Sequence, residues 1–308
     1  MHSNPHLGLD MTKKTALITG ATGFIGGAIA RRLSELGWGV HTLVRQSSNL
    51  DQVLGADTWT GAHVHDGTTE SMLSILNEVR PDIIFHLASL FISEHSAGDV
   101  SKLIESNLLF ATQLAEAATP AGVKGFINTG TAWQYYQGST YCPVNLYAAT
   151  KQAFEDILSW YHDARGLSCV TLKLFDTYGP GDRRRKLINI LVDASKNGTV
   201  LNMSPGEQIL DLCHIDDVVS AYVRAADMLL EQSEPMFQDY MISGERLRLR
   251  DLVALVERVA GRALLVDFGG RPYRAREVMQ PWNDSTKSLP SWRPSIGLEQ
   301  GVRQLLSI

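Results

Sequence analysis

Cysteine is scarce in this 308-residue chain, basic charge is not in excess, and long apolar runs are missing. Each shortage removes a class of explanation. The three cysteines, Cys142, Cys169 and Cys213, lie far apart; no pair has metal-ligand spacing, and an odd, sparse set makes no disulfide framework. No metal site is expected, and a reducing, cytoplasmic setting fits. With 28 Lys+Arg against 33 Asp+Glu, net charge is −5, so the basic footprint of a nucleic-acid binder is missing. The one basic run, Arg183-Arg184-Arg185-Lys186, is short and suits a solvated loop or an anionic-ligand contact. No stretch reaches the roughly 20 apolar residues of a membrane span, so no membrane partner is expected. The first residues are polar, lack the apolar core of a signal peptide, and read as a disordered arm over 1–11. No internal repeat or low-complexity tract occurs.

The chain is organised around Thr19-Gly20-Ala21-Thr22-Gly23-Phe24-Ile25-Gly26. Ahead lies Thr15-Ala16-Leu17-Ile18, short and apolar like a buried strand; behind, 28–37 has helical spacing and a glycine stop. Strand, glycine turn and helix together turn a weak pattern into a dinucleotide-binding hypothesis. Gly20 permits the tight turn, Gly23 keeps side chains away from a pyrophosphate, and Gly26 lets the helix press on the sheet. The helix start, through Thr22, Phe24 and Ile25, offers free N–H groups and a positive dipole end.

The second strand, 40–44, closes at Arg45. An NAD-selecting fold places a carboxylate here for the ribose 2′-hydroxyl; a guanidinium followed by Ser47 and Ser48 suits a 2′-phosphate. NADP(H) is therefore the expected cofactor. A third strand at 62–65 leads to Asp66, which can reach an adenine amino group or simply make the turn before Gly67. Thr68 is set to cap a helix through Val79. The apolar strand 82–87 has the composition of a sheet covered on both faces and runs into Ala88-Ser89, small residues where a cofactor lies close. A helix over about 99–118 carries Asn107, and 123–128 is a fifth strand. This alternation predicts a doubly wound parallel α/β sheet.

Chemistry concentrates in two segments. One is the strand end 126–135, with Thr129 and Thr131. The other is Tyr147-Ala148-Ala149-Thr150-Lys151, opening a helix to about 165. Tyr147 and Lys151, four apart, share a helical face. The lysine charge is expected to pull the phenol below its ordinary value of about 10. A tyrosine so tuned hands a proton to a carbonyl oxygen or takes one from an alcohol. Thr131 can donate a hydrogen bond to the same oxygen.

From about residue 13 to its end the sequence resembles the extended short-chain dehydrogenase/reductases of the sugar-nucleotide epimerase/dehydratase group. The resemblance rests on the glycine turn, His86-Leu87-Ala88-Ser89, Asn107, Thr131, Tyr147-x-x-x-Lys151, 174–181 and His214-Ile215-Asp216-Asp217-Val218. It implies a Rossmann-like fold, with Thr131, Tyr147 and Lys151 as the catalytic set. The implied cofactor set is Gly20, Thr22, Gly23, Phe24, Ile25, Gly26, Arg45, Ser47, Asp66, Ala88, Ser89, Asn107, Thr129, Tyr147 and Lys151. Departures narrow the reaction. Family 4,6-dehydratases follow the Ser/Thr with Asp-Glu; here stand Ala132-Trp133, neither able to move a proton. The 4-epimerases usually carry the acidic NAD-selecting residue, where this chain has Arg45. The run 175–187 and the stretch 273–282 most resemble 4-ketoreductases of the CDP-abequose and CDP-paratose synthase type.

A dinucleotide-binding domain is expected over 12–175, about 207–229 and 239–244. A smaller, discontinuous α/β substrate lobe is expected over about 176–206, 230–238 and 245–308. Within the latter half a helix at about 184–197, a short strand pair beginning at 198–201 and a helix capped by Asp216 and ending near 231 are expected. Substrate contacts are assigned to Thr131, Asp176, Arg183, Lys186 and Arg276, with Arg250 and Arg274 as further pyrophosphate candidates. His214 is read as structural, and Trp282 and Trp292 as core anchors. The expected function is NADPH-dependent reduction of a nucleotide-linked 4-keto-6-deoxyhexose by a homodimer built on the helices at 99–118 and 145–165. A nucleotide-sugar 4-epimerase, a reductase of an unrelated ketone or aldehyde, and a catalytically silent NADP sensor are the competing readings.

Overall fold

A computed structural model describes residues 13–46, 48, 58–138 and 140–307; Ser47 and the arm at 1–11 lie outside them. β1 (Thr15–Thr19), β2 (Gly39–Arg45), β3 (Gly61–His65), β4 (Ile83–His86), β5 (Gly125–Thr131), β6 (Cys169–Leu174) and β10 (Phe237–Ile242) form one sheet in the order β10-β6-β5-β4-β1-β2-β3. Every pairing in it is parallel. Chain order reverses between β1 and β4, which opens a crevice at their carboxyl ends.

Residues of a strand point alternately to the two faces, and both faces are covered. Ala16 and Ile18 pack with α1 (Phe24–Glu35) and α7 (Ile215–Glu231). Leu17 packs on the opposite side with α2 (Thr69–Val79), α4 (Phe110–Ala118) and α5 (Leu146–Arg165). Thr68 caps α2 by accepting from the Ser71 N–H at 3.1 Å, as expected. α5 starts on Asn145, whose side chain accepts from Ala148 N at 2.9 Å, and stops at Gly166, at φ 69°. That cap fixes where Tyr147 and Lys151 emerge.

The helix expected over 99–118 is interrupted. α3 (Val100–Ile104) is followed by a π-helical turn, Glu105–Leu109, before α4. The wider turn turns Asn107 inward, where it is 3% exposed. β5 begins two residues later than expected and runs on to Thr131. α6 (Leu187–Asn197) starts three residues late because the 182–186 segment is tied up by Arg184 and Asp182. The cap of α7 is His214, not Asp216: its Nδ1 accepts from Asp216 N at 3.3 Å.

Two smaller sheets accompany the first. β9 (Ile209–His214) lies between β7 (Asp176–Tyr178) and β11 (Glu245–Arg248), outside the main sheet. β8 (Leu201–Met203) pairs with β12 (Val266–Phe268). Together with α6, α8 (Leu249–Ala260) and α9 (Leu298–Leu306) they enclose a separate apolar core around Tyr178, Leu191, Leu252 and Val302. No described helix is long and apolar enough to cross a membrane.

Candidate active site

The glycine turn crosses the mouth of the crevice. Gly20 sits at φ 74°, and a Cβ there would lie 2.7 Å from Ala88 N. A Cβ on Gly26 would lie 2.3 Å from Gly20 O, so the helix approaches its own turn as closely as a bare Cα allows. Gly23 is the N-cap of α1; no side chain caps that end and no acid occupies its first turn. Free donors, a positive dipole end and the absence of a repelling carboxylate fit a dinucleotide pyrophosphate. Thr22 is exposed beside the turn, while Phe24 and Ile25 are half-buried. Thr19 joins the two crevice strands: its Oγ1 accepts from Leu87 N and Ala88 N and hydrogen-bonds His86 Nδ1 at 2.9 Å. With both lone pairs taken, the Thr19 hydroxyl donates to a neutral His86. Burial, then the Lys151 charge, hold that ring well below its ordinary value.

Arg45 is exposed at the carboxyl end of β2, its N–H on Ser48 Oγ at 3.2 Å. Asp66 is exposed two strands from β1, and its Oδ1 accepts both the N–H and hydroxyl of Thr68. Those bonds hold it below the usual carboxylate range and make it a builder of the turn before α2.

Asn107 has all its side-chain hydrogen-bonding groups engaged within the chain. Its Oδ1 accepts from Leu90 N (2.8 Å) and Ser89 Oγ (3.2 Å), and its Nδ2 donates to Leu90 O and Thr150 Oγ1 (both 3.0 Å). That satisfies the amide completely. Its effect is to pin the 88–90 segment to α5. Thr129 is likewise engaged, donating to His86 O at 2.8 Å and meeting the buried Tyr222 phenol at 2.7 Å. Thr131 differs. Its oxygen accepts from Trp133 N at 3.3 Å, which leaves the hydroxyl proton to donate outward.

Tyr147 and Lys151 leave α5 on one face. The phenol meets the Ser89 hydroxyl, and packing pushes it up to about 12, the Ser89 bond opposing. This corrects the expected lowering by Lys151. Desolvation wins at the phenol, and the lysine is itself desolvated, pulled down to about 8 with Glu155 opposing. A phenol firmly neutral at neutral pH is a proton donor.

Beside Tyr147 stands an aromatic wall. Phe91 meets the Tyr147 ring edge-on at 4.9 Å and the Trp133 ring at 5.6 Å. Lys186 lies 5.1 Å over Phe91 and pairs with Asp176 at 3.3 Å; Arg274 lies 5.9 Å over Trp133. Arg276 stacks 4.2 Å over Tyr136 and donates to Pro143 O at 2.9 Å. These cations gather near the wall. Arg183 is exposed in the 182–186 loop. Arg250 points elsewhere: it donates to Pro205 O and pairs with Glu207 at 3.0 Å. Trp282 is buried and stacked on Tyr135 at 4.2 Å, and Trp292 donates to Ser220 Oγ, both as anchors. Sequence reasoning missed Phe91, Tyr222 and a buried polar row formed by Gln134, Glu155 and Lys173. Only Glu155 carried a signal, four residues beyond Lys151 on the same helical face.

A family model described as NAD dependent epimerase/dehydratase family matches residues 16–240. A CDP-abequose synthase of Salmonella typhimurium is 25% identical over 303 residues, covering 96% of this chain and 98% of that protein. A UDP-glucose 4-epimerase of Mycolicibacterium smegmatis is 27% identical over 306 residues, covering 93% and 95%. The solved UDP-glucose 4-epimerase of Thermotoga maritima, in complex with UDP-glucose, shares the fold with a TM-score of 0.82 at 24% identity, covering 95% and 97%.

Proposed function

The chain belongs to the NAD dependent epimerase/dehydratase family, and on that premise we propose that it is an NADPH-dependent reductase of a nucleotide-linked 4-keto-6-deoxyhexose. The observation that carries this reading is a free-donating Thr131 followed by Ala132 and Trp133, where a dehydratase needs acids, with Phe91 packed against both Trp133 and Tyr147. The apolar wall suits a sugar face bearing a methyl group in place of a hydroxymethyl or carboxylate. The glycine turn, Arg45 and Lys151 would hold the nicotinamide dinucleotide, which when bound supplies a hydride to the carbonyl carbon. Thr131 donates a hydrogen bond to the carbonyl oxygen and orients it. Tyr147 delivers its phenolic proton to that oxygen as negative charge develops there, so an alcohol forms and a phenolate remains. The Lys151 ammonium, one helical turn on, stabilises that phenolate until solvent reprotonates it. Lys186 and Arg276 supply positive charge for the nucleotide diphosphate. Arg45 supports NADPH, because its guanidinium matches a 2′-phosphate.

The same reading divides the chain between a dinucleotide domain and a substrate lobe over about 176–206, 230–238 and 245–308. It pairs two copies through the helices at 99–118 and 145–165, where Ile104, Leu109 and Trp160 are exposed. NADPH oxidation, followed with CDP- and dTDP-4-keto-6-deoxyglucose, tests it. Silence with every nucleotide form, in folded protein, overturns it. The relative named as a 4-epimerase favours a second reading, nucleotide-sugar 4-epimerisation. That reading requires turnover without added NADPH.

A further inference from the structure

A buried polar row lies behind Thr131 and Lys151 and takes no direct part in this chemistry. Gln134 is fully buried, and its amide has one workable orientation. Oε1 accepts from Thr131 N at 2.9 Å; Nε2 donates to Gln152 Oε1 at 2.8 Å and Glu155 Oε1 at 2.9 Å. Reversed, the amide would set donor against donor at Thr131 and oxygen against carboxylate at Glu155. The other Glu155 oxygen takes Lys173 Nζ at 2.6 Å. Lys173 is 1% exposed, lies 3.8 Å from Asp239, and Asp239 pairs in turn with Lys287. Signs alternate along the row.

Buried ion pairs are weak evidence for stability, since apolar replacements of the same shape are often as stable. The backbone nonetheless makes room for this one. A Cβ on Gly130 would lie 2.9 Å from Thr171 Cγ2 and 3.0 Å from both Gln134 Oε1 and Glu155 Oε1. Glu155 also falls one helical turn beyond Lys151.

We propose that Gln134 and Glu155 are positioning residues for the reduction. Glu155 locks the Gln134 amide, Gln134 fixes the Thr131 turn so that the Thr131 hydroxyl aims its proton outward, and Glu155 itself stands one helical turn from Lys151. The proposal rests on the ketoreductase reading for the roles of Thr131 and Lys151. The charged and titratable groups around Lys151 are Tyr147 and Glu155 on its own helix and His86 on β4. Beyond Glu155 come Lys173 on β6, Asp239 on β10 and Lys287. His86 is kept neutral by burial, and Glu155 is the group whose charge raises the Lys151 ammonium against its desolvation.

Three variants test this: Gln134→Met, Glu155→Gln, and Glu155→Gln combined with Lys173→Met, which removes both charges if the single change does not fold. The readouts are hydrogen exchange at the Thr131 amide, the pH dependence of NADP binding followed by protein fluorescence, and kcat and KM. In Gln134→Met, the Thr131 amide exchanges at least about tenfold faster and kcat falls about tenfold, with KM within about twofold and the alkaline limb of binding unmoved. In both Glu155 variants that limb moves about one pH unit lower. A structural role alone would lower the melting temperature and leave limb and kcat-to-KM balance in place. Wild-type exchange and kcat in Gln134→Met, or an unmoved limb in both Glu155 variants, overturn the proposal. If the wild type reduces no keto-sugar, the ketoreductase reading falls, while exchange and binding still decide the positioning claim.

Discussion

Replacing Lys151 by Met should stabilise the protein while disabling it. The side chain is 3% exposed, and burial lowers its ammonium from the ordinary 10.5 to about 8, with Glu155 opposing. At about 1.36 kcal/mol per pH unit, that fall makes the charged form cost roughly 3 kcal/mol at neutral pH. The folded-state value lies below the unfolded one. The cost is therefore complete below pH 8, and it fades as the pH rises from 8 past 10.5, where the unfolded chain binds the proton and the folded chain does not. Met keeps the apolar stem and drops the charge. With an unfolding entropy of about 2.1 cal/mol/K per residue, roughly 3 kcal/mol corresponds to about 5 °C for a chain of this length. Thermal melts of wild type and Lys151→Met at pH 7 and pH 10 provide the assay. The variant should melt about 5 °C higher at pH 7, and the gap should shrink to roughly a quarter of that at pH 10. A gap independent of pH, or a variant less stable than wild type at pH 7, would refute the desolvation argument.

Tyr147→Phe should leave NADPH affinity within about twofold and lower kcat by ~100-fold or more, read by fluorescence titration and steady-state kinetics. Arg45→Asp should raise the KM for NADPH by about 100-fold with NADH changed little, through loss of a charge-assisted contact and gain of repulsion against a 2′-phosphate. Gly26→Ala forces a Cβ to 2.3 Å from Gly20 O and should cost about 2 kcal/mol or more, seen as a lower melting temperature with weakened cofactor binding.

Much of this was legible in the chain because the strongest signals are local. The glycine turn, each apolar strand and periodic helix of the alternation, and the Tyr147–Lys151 spacing are short stretches of chain and follow from backbone sterics or helical period. What escaped depends on distance in the chain. Gln134, Glu155, Lys173 and Asp239 come from the segment after β5, from α5, from β6 and from β10, and nothing in their spacing announces a common row. The partners of Asn107 were hidden for a related reason. A π turn brings the amide onto Leu90 and Thr150, and its hydrogen-bonding capacity is exhausted there. No strand is expected at 209–214; β9 forms there by pairing with β7 and β11, partners distant in the chain. The direction of the Tyr147 shift was misread because a charge four residues away is visible in sequence and the depth of burial is not.

The central claim is net reduction at a sugar carbonyl with Tyr147 as proton donor. Incubation with NADPH carrying deuterium at the transferable position of nicotinamide C4, and a nucleotide-linked 4-keto-6-deoxyhexose, tests it most directly. The account predicts one deuterium at sugar C4 for each NADPH consumed, and no transfer in Tyr147→Phe. Inversion at C4 of a 4-hydroxy nucleotide sugar, with no label incorporated and no NADPH consumed, would contradict it.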